Sequence, residues 1–195
     1  CENFEGRKDV GLIVKTNMGT NSTVDKRVST RTLTNAVQQI KGNKKFPKIY
    51  LLHGAMEEEQ LKSLYLDKSL VSLISTTRGE GFGLPMLEAA ACGLPVVATN
   101  WSGHLDFLNL GKWLPVDFSL SHIPPSRADG RIFIEGSSWA QPKEQDFKDK
   151  LNQVLKNKRD YTKSAADLAV EVRKHFCQSK INEYYDNFLK EIINA

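Results

Sequence analysis

The sequence feature that most constrains the fold is a series of short, continuous apolar runs separated by stretches with helical periodicity. Four such runs are predicted as strands: Val10–Val14, Ile49–His53, Leu70–Ser75 and Pro95–Thr99. Strands that are apolar at consecutive positions are typical of a parallel sheet that helices cover on both faces. The sequence therefore predicts an α/β fold with a doubly wound parallel sheet.

Helical periodicity occurs between these strands and again after them. The connecting helices are predicted at Thr30–Lys41, Glu57–Tyr65 and Pro85–Cys92. Residues 110–143 are rich in proline and glycine, which predicts an irregular segment with one strand, Arg131–Glu135. Two C-terminal helical regions follow, at Lys143–Lys156 and from Tyr161 to Ile193, the second with a break near His175–Ser179.

Composition and charge restrict the class of protein. A length of 195 residues suits one domain, and no apolar run approaches the roughly 20 residues of a membrane span. The net charge is +4, but the lysines and arginines are scattered, so we expect no nucleic-acid partner. Cys1, Cys92 and Cys177 lie far apart and form no disulfide or metal-binding pattern, which favours a reducing, cytoplasmic compartment.

The carboxyl ends of the predicted strands form the expected ligand-binding edge of the sheet. This rule selects Lys15, the dipeptide His53-Gly54, and the segments Thr76–Gly83 and Asn100–Gly103. For His53, and for His104 just beyond the last segment, a structural role and a substrate contact both stay open.

The segment EGFGLPMLE, residues 80–88, combines features that suit a sugar and phosphate ligand. Its glycines permit a tight turn with uncovered N–H groups, and Pro85 suits the first position of a helix. A helix N-terminus attracts anions, while the carboxylates of Glu80 and Glu88 can each accept hydrogen bonds from a pair of hydroxyls. Each feature alone is ordinary in turns and helix starts, but their combination at the ligand edge favours a binding site.

The longer stretch EGFGLPMLEAAACGLPVVAT resembles the E-x7-E signature of retaining glycosyltransferases with the GT-B fold. The similarity covers roughly residues 9–193 and implies a single Rossmann-like nucleotide-sugar-binding domain, residues 1–195, as the C-terminal lobe. The N-terminal acceptor lobe is then absent from this chain. Because the chain does not begin with Met, we expect Cys1 to be internal to a longer polypeptide.

The resemblance also implies roles for individual residues. Glu80 would contact hydroxyls of the transferred sugar, and Glu88 would accept hydrogen bonds from the ribose. The remaining substrate contacts would come from the amides of Gly81, Phe82, Gly83 and Leu84, and from Gly54 and Ala55 at the base. Apart from the resemblance, Arg78 precedes the motif and could reach a phosphate. Lys15 matches the first cation of the family's diphosphate-binding pair, but Thr20 stands where the second is expected.

The resemblance further implies the reaction and its partners. A nucleoside diphosphate sugar would be the donor, no cofactor or metal would be needed, and the acceptor would be a carbohydrate, a lipid or a protein. Front-face attack would retain the anomeric configuration, with Glu80 positioning the sugar. We expect the isolated lobe to be inactive without an N-terminal lobe, through which a membrane-peripheral location is also conceivable. The alternatives are a non-catalytic nucleotide-sugar-binding or scaffold lobe and a sugar epimerase of similar architecture.

Overall fold

Parallel strand pairing characterises both of the units into which the chain divides, Cys1–Gln60 and Leu61–Ala195. We call them the first and the second unit. The computed structural model describes residues 1–193. This α/β organisation confirms the predicted fold class.

The first unit contains β1 (Gly11–Thr16), α1 (Thr23–Lys41) and β2 (Lys48–His53), after a short 3-10 helix at Glu2–Phe4. The two strands pair in parallel, with Lys15 opposite Leu52. Helix α1 begins seven residues before the predicted start because Ser22 caps it: its side chain accepts a hydrogen bond from the Asp25 N–H at 3.1 Å. The Ser-x-x-Asp spacing is a capping signal visible in the sequence.

The second unit is built on β3 (Leu73–Ser75), β4 (Val96–Thr99) and β5 (Leu114–Val116), which pair in parallel in that order. Strand β4 lies in the middle, and all four of its residues are buried. Strand β5 was not predicted, because it is short and contains a proline. A proline is tolerated there because β5 pairs with β4 alone among the described strands.

Helices cover both faces of this second sheet. They are α2 (Glu58–Tyr65), α3 (Leu84–Ala91), α4 (Leu105–Leu108), α5 (Glu144–Lys156) and α6 (Lys158–His175); a further helix, α7 (Gln178–Ile193), follows α6. Val96 and Ala98 pack into a cluster that includes α3 and α6, whereas Val97 packs into a second cluster with Val154 of α5. Alternate residues of β4 therefore face two separate cores, as a doubly wound sheet requires.

An antiparallel hairpin follows β5 and corrects one prediction. Its strands are β6 (Phe118–His122) and β7 (Ser138–Pro142). The predicted strand Arg131–Glu135 is wrong, because this segment lies in the loop that joins them. One oxygen of the Asp129 carboxylate accepts hydrogen bonds from the N–H groups of residues 131, 132 and 133, each at 2.9 Å. Amides that converge on one oxygen cannot pair with a neighbouring strand.

The C-terminal helices agree with the sequence, including the break, since α6 ends at His175 and α7 starts at Gln178. Helix α7 buries none of its described residues. An apolar face of this helix is exposed and consists of Tyr184, Tyr185, Phe188, Leu189 and Ile192. No helix within residues 1–193 is long and apolar enough to cross a lipid bilayer.

Candidate functional site

The start of α3 is shaped by Gly83, its N-cap residue. Gly83 has a φ of +85°, a conformation that other residues adopt at a cost. A Cβ atom at this position would lie 2.9 Å from Cε of Met86 and 3.0 Å from Cβ of His104. Both the backbone angle and the surrounding space therefore require glycine. No side chain within residues 1–193 caps the helix, and Pro85 stands within its first turn. The N-terminal dipole of α3 is thus left free of any capping group of the protein.

The main chain of Glu80 is held by the loop that follows β4. Oγ of Ser102 accepts a hydrogen bond from the Glu80 N–H at 3.1 Å and donates one to the Glu80 carbonyl oxygen at 2.6 Å. The Gly103 N–H donates to the same carbonyl oxygen at 3.1 Å. The Glu80 carboxylate makes no hydrogen bond or ion pair with any residue in the described part of the chain, and the residue is only partly buried. Its backbone is fixed while its carboxylate stays available.

Ser102 and His104, which follow β4, were not predicted as site residues. Ser102 does lie in the segment Asn100–Gly103, which was predicted at the ligand-binding edge of the sheet. Ser102 has a φ of +92° and is the only residue other than glycine with a positive φ among residues 1–193. His104 is fully buried, and its Nε2 lies 2.7 Å from the Thr99 carbonyl oxygen. A carbonyl only accepts, so Nε2 is the protonated nitrogen. This burial favours the structural role for His104 over a substrate contact.

The second glutamate, Glu88, lies on the exposed side of α3, one turn after Pro85. Tyr65, which is 8% exposed, donates a long hydrogen bond of 3.4 Å from its hydroxyl to Oε2 of Glu88. Burial and then the negative charge of Glu88 raise the pKa of Tyr65 to about 12. The phenol therefore stays protonated at neutral pH and remains a donor. The other carboxylate oxygen of Glu88 is open to a ligand.

Arg78 is attached to the β6–β7 hairpin. Its Nε donates to Oε1 of Gln141 at 2.8 Å, and its guanidinium carbon lies 4.2 Å from the centre of the Trp139 ring. The Ala140 N–H donates to the Arg78 carbonyl oxygen at 3.1 Å. The terminal nitrogens of the guanidinium have no hydrogen-bond partner among the residues that the structure describes. Sequence separation concealed these contacts, because Arg78 and Gln141 are 63 positions apart.

The predicted site residues of the first unit lie together at the carboxyl ends of β1 and β2. The Lys15 ammonium donates to the Gly54 carbonyl oxygen. Gly54 has a φ of +102°, and its N–H donates to the Thr16 carbonyl oxygen at 3.2 Å. The Ala55 N–H donates to Oδ1 of Asn21 at 2.6 Å. Lys15, Gly54 and Ala55 therefore form one connected group within this unit.

Thr20 stands where the resemblance implies a second cation, and its backbone takes part in a local hydrogen-bond network around Asp25. The Thr20 N–H donates to Oδ2 of Asp25 at 3.0 Å, and the Met18 N–H donates to Oδ1 at 2.9 Å. Nε2 of His53 lies 3.3 Å from Oδ2 of Asp25, within ion-pair distance but not aligned as a hydrogen bond. Both side chains are 5% exposed. Asp25 thus organises the loop between β1 and α1, a role that the sequence did not indicate.

Within 1–193, no group of three or more His, Cys, Asp or Glu side chains is placed so that it could hold a metal ion.

The sequence of this chain matches a known protein family. The family model described as "Glycosyl transferases group 1" matches residues 36–175. A phosphatidyl-myo-inositol mannosyltransferase from Propionibacterium freudenreichii subsp. shermanii is 40% identical over 55 residues, which are 28% of this chain and 14% of that protein. This chain therefore spans a small part of that relative.

A solved structure has a similar fold. The crystal structure of the GtfA/B complex contains a chain that matches 97% of this one with a TM-score of 0.56 and 18% sequence identity, over 37% of its own length. At that identity the match supports the fold alone, an α/β fold of the Rossmann-like kind. Since the family model spans most of the sequence, the chain belongs to the group 1 family of glycosyltransferases.

Proposed function

We propose that this chain is the C-terminal, donor-binding lobe of a retaining glycosyltransferase of the E-x7-E type. It would bind a nucleoside diphosphate sugar and present the sugar to an acceptor hydroxyl. The observation that carries the proposal is the pair of available carboxylates, Glu80 and Glu88, on either side of the uncapped start of α3. The proposed nucleotide-sugar-binding domain is residues 1–195.

Glu80 is suited to position the transferred sugar. Its fixed backbone and unengaged carboxylate offer preorganised acceptors for two sugar hydroxyls. The turn Gly81–Gly83 and Leu84 bring backbone amides to the start of α3, where the helix dipole favours a diphosphate. Phe82 packs edge-on against Phe107, with ring centres 5.5 Å apart, so this side chain anchors the turn while its amide serves the ligand.

Glu88 is suited to bind the ribose. A ribose presents two neighbouring hydroxyls, both of which can donate to one carboxylate. The Tyr65 hydroxyl donates a long hydrogen bond to Oε2 and leaves the other carboxylate oxygen free. The free oxygen and the remaining lone pair of Oε2 would then receive the ribose hydroxyls.

Lys15 is proposed as the first diphosphate-binding cation, with Gly54 and Ala55 close to the base. The Lys15 ammonium now donates to the Gly54 carbonyl oxygen, and one of its three protons is used there. The other two are free to reach a phosphate. Arg78 would supply a further cation through its terminal nitrogens.

In the proposed reaction the acceptor oxygen attacks the anomeric carbon on the face from which the diphosphate leaves. The bond between that carbon and the diphosphate oxygen breaks, and the departing phosphate takes the proton of the acceptor hydroxyl. Negative charge grows on the diphosphate, so Lys15 and the α3 dipole would stabilise the transition state more than the ground state. Glu80 keeps the sugar oriented during this step.

The exposed apolar face of α7 supports the proposal that a second lobe completes the enzyme. All five side chains of this face, including Ile192, are more than half exposed. A contiguous apolar surface of this kind is characteristic of an interface. The second lobe, in the same or another polypeptide, would bind a carbohydrate, lipid or protein acceptor. We propose a cytoplasmic location, at a membrane surface if that lobe binds one.

The test is a calorimetric titration of nucleoside diphosphates and their sugars into the full-length protein and its Glu88→Ala variant. We expect one nucleotide to bind, and the variant to bind it at least about tenfold more weakly, since a hydrogen bond to a charged group contributes about 1.5–3 kcal/mol. Glu135→Ala is the matched control, because Glu135 is an exposed glutamate of the hairpin loop. Equal affinity for Glu88→Ala and the wild type would refute the ribose assignment.

One observation favours a second candidate function, a non-catalytic lobe that binds nucleotide sugars. Position 20 is a threonine, so the second cation of the family's pair is not provided at that position. Such a lobe would bind the donor in the titration but would give no product when donor and acceptor are supplied together. Measured sugar transfer would exclude it.

A further inference from the structure

We propose that Ser102 is a positioning residue whose hydroxyl fixes the Glu80 peptide and so sets the conformation of the turn Glu80–Gly83 for donor binding. This inference rests on the proposed function. It concerns a residue of the loop after β4, which would contact no substrate itself.

The first observation is the backbone conformation of Ser102. Its φ of +92° lies in the region that glycine adopts freely and that residues with a Cβ adopt only at a cost. Strain of this kind persists where surrounding interactions over-determine it, and it occurs often at functional sites. Glycine would remove the strain here, and the next residue, Gly103, already is one. The serine must therefore contribute something that glycine cannot.

The second observation is the pair of hydrogen bonds that the hydroxyl makes to one residue. Oγ accepts from the Glu80 N–H at 3.1 Å and donates to the Glu80 carbonyl oxygen at 2.6 Å. Glu80 is 22 positions away in the sequence, so this is a tertiary contact between two loops at the same edge of the sheet. Satisfying both groups leaves that residue's backbone little freedom to rotate. A neutral hydroxyl with both a donor and acceptor is what this arrangement needs.

The third observation is the close approach of the two loops on either side of this contact. A Cβ atom at Gly103 would overlap the Gly81 carbonyl oxygen, so that the second loop lies directly against the glycine turn. The Gly103 N–H also donates to the Glu80 carbonyl oxygen at 3.1 Å. Ser102 is therefore at the point where the β4–α4 loop determines the path of the turn that leads to α3.

Two substitutions separate a positioning role from a merely structural one. Ser102→Ala keeps a Cβ at the strained φ and removes both hydroxyl bonds. Ser102→Gly removes the same bonds but also removes the strain. If Ser102 matters only for stability, Ser102→Gly should bind donor as the wild type does. If the hydroxyl positions Glu80, both variants should lose affinity even though Ser102→Gly melts at or above the temperature of Ser102→Ala.

We would measure three quantities on the full-length protein, with Ser119→Ala as the matched control at an exposed serine of β6. They are the melting temperature, the affinity for the nucleoside diphosphate sugar that the wild type binds, and hydrogen exchange at the Glu80 amide. We expect both Ser102 variants to bind the sugar nucleotide about tenfold more weakly, in line with the loss of about one hydrogen bond's net contribution. Exchange at the Glu80 amide should accelerate by about tenfold for the same reason.

The outcomes distinguish this inference from the proposed function. If the wild type binds donor and Ser102→Gly binds it equally well, the positioning role is wrong while the donor lobe stands. If the wild type binds no sugar nucleotide, the proposed function is wrong, and Ser102 then has no role in donor binding. In that case the exchange rate of the Glu80 amide still decides whether Ser102 fixes the turn, and an unchanged rate would overturn that as well.

Discussion

Replacing Gly83 with alanine is expected to destabilise the second unit strongly, for two independent reasons. The first is the φ of +85°, which a residue with a Cβ adopts at a cost of about 1–2 kcal/mol. The second is space. The new Cβ would lie 2.9 Å from Cε of Met86 and 3.0 Å from Cβ of His104. Real Cβ atoms avoid such distances, so at least one neighbour has to move.

The surroundings make that movement difficult. Met86 is 2% exposed and His104 is fully buried. The methionine end is flexible, but the histidine Cβ is close to the backbone, and its ring is tied to the Thr99 carbonyl oxygen at 2.7 Å. Overpacking of this kind costs about 1–3 kcal/mol. Together with the backbone term, we expect a loss of about 1–4 kcal/mol, after subtracting the roughly 0.8 kcal/mol that burying one methyl group returns.

The assay is equilibrium unfolding in urea, with Gly81→Ala as the matched control in the same turn. Gly81 does not have a positive φ, and a Cβ there would have no atom within 4 Å, so its free energy of unfolding should change by less than about 0.5 kcal/mol. The slope with denaturant should be the same for both variants, since they expose the same surface. If Gly83→Ala and Gly81→Ala are equally stable, the argument from φ and packing at the start of α3 is wrong.

Two further predictions concern Tyr65 and Trp139. Because burial, and secondarily the charge of Glu88, raise the pKa of Tyr65 from 10.0 to about 12, phenolate absorbance should show one tyrosine that ionises near pH 12. The stability that the neutral Tyr65 contributes is fully present below pH 10.0 and is lost as the pH rises towards 12. Glu88→Gln should lower the pKa of Tyr65, and an unchanged pKa would refute the contribution of the Glu88 charge. Trp139→Ala should speed hydrogen exchange at the Ala140 amide, because it removes the ring beneath the Arg78 guanidinium, a contact that contributes about 0.5–1 kcal/mol at an exposed site. Trp139→Phe keeps a ring there and should exchange more slowly than Trp139→Ala; equal rates in the two variants would contradict the stacking argument.

Elements with a strong periodic signal could be predicted from the sequence. The four predicted strands appear as β1 to β4, and their bounds shift by up to three residues. β4 is apolar at consecutive positions because its two faces pack into different cores. Its burial on both faces can therefore be predicted from its own sequence. Such a signal depends on burial alone and needs no knowledge of distant partners.

The strands β5 to β7 were missed for physical reasons that differ from one to the next. β5 contains Pro115, and a proline normally argues against a strand. It is tolerated here because β5 is the last strand in the order β3-β4-β5. β6 and β7 are partly exposed and carry polar residues, so their pairing depends on each other more than on a core. The segment at 131–135 was predicted as a strand from its apolar residues. That pattern does not indicate that the Asp129 carboxylate accepts hydrogen bonds from the backbone of this segment.

The two glutamates of the site show where prediction from sequence stops. Glu88 is placed by the helix that carries it, so the position of its carboxylate follows from local sequence once Pro85 and Gly83 define the start of α3. Glu80 lies in a loop, and its backbone is placed by Ser102 through contacts that no periodicity encodes. It follows that the two residues respond to different changes. We expect a substitution that weakens α3 to displace Glu88 and the helix dipole together, whereas a change at Ser102 would act first on Glu80 and the turn that follows it. The separation between the two carboxylates, on which a donor spanning sugar and ribose would depend, is therefore determined jointly by a helix start and a strained serine.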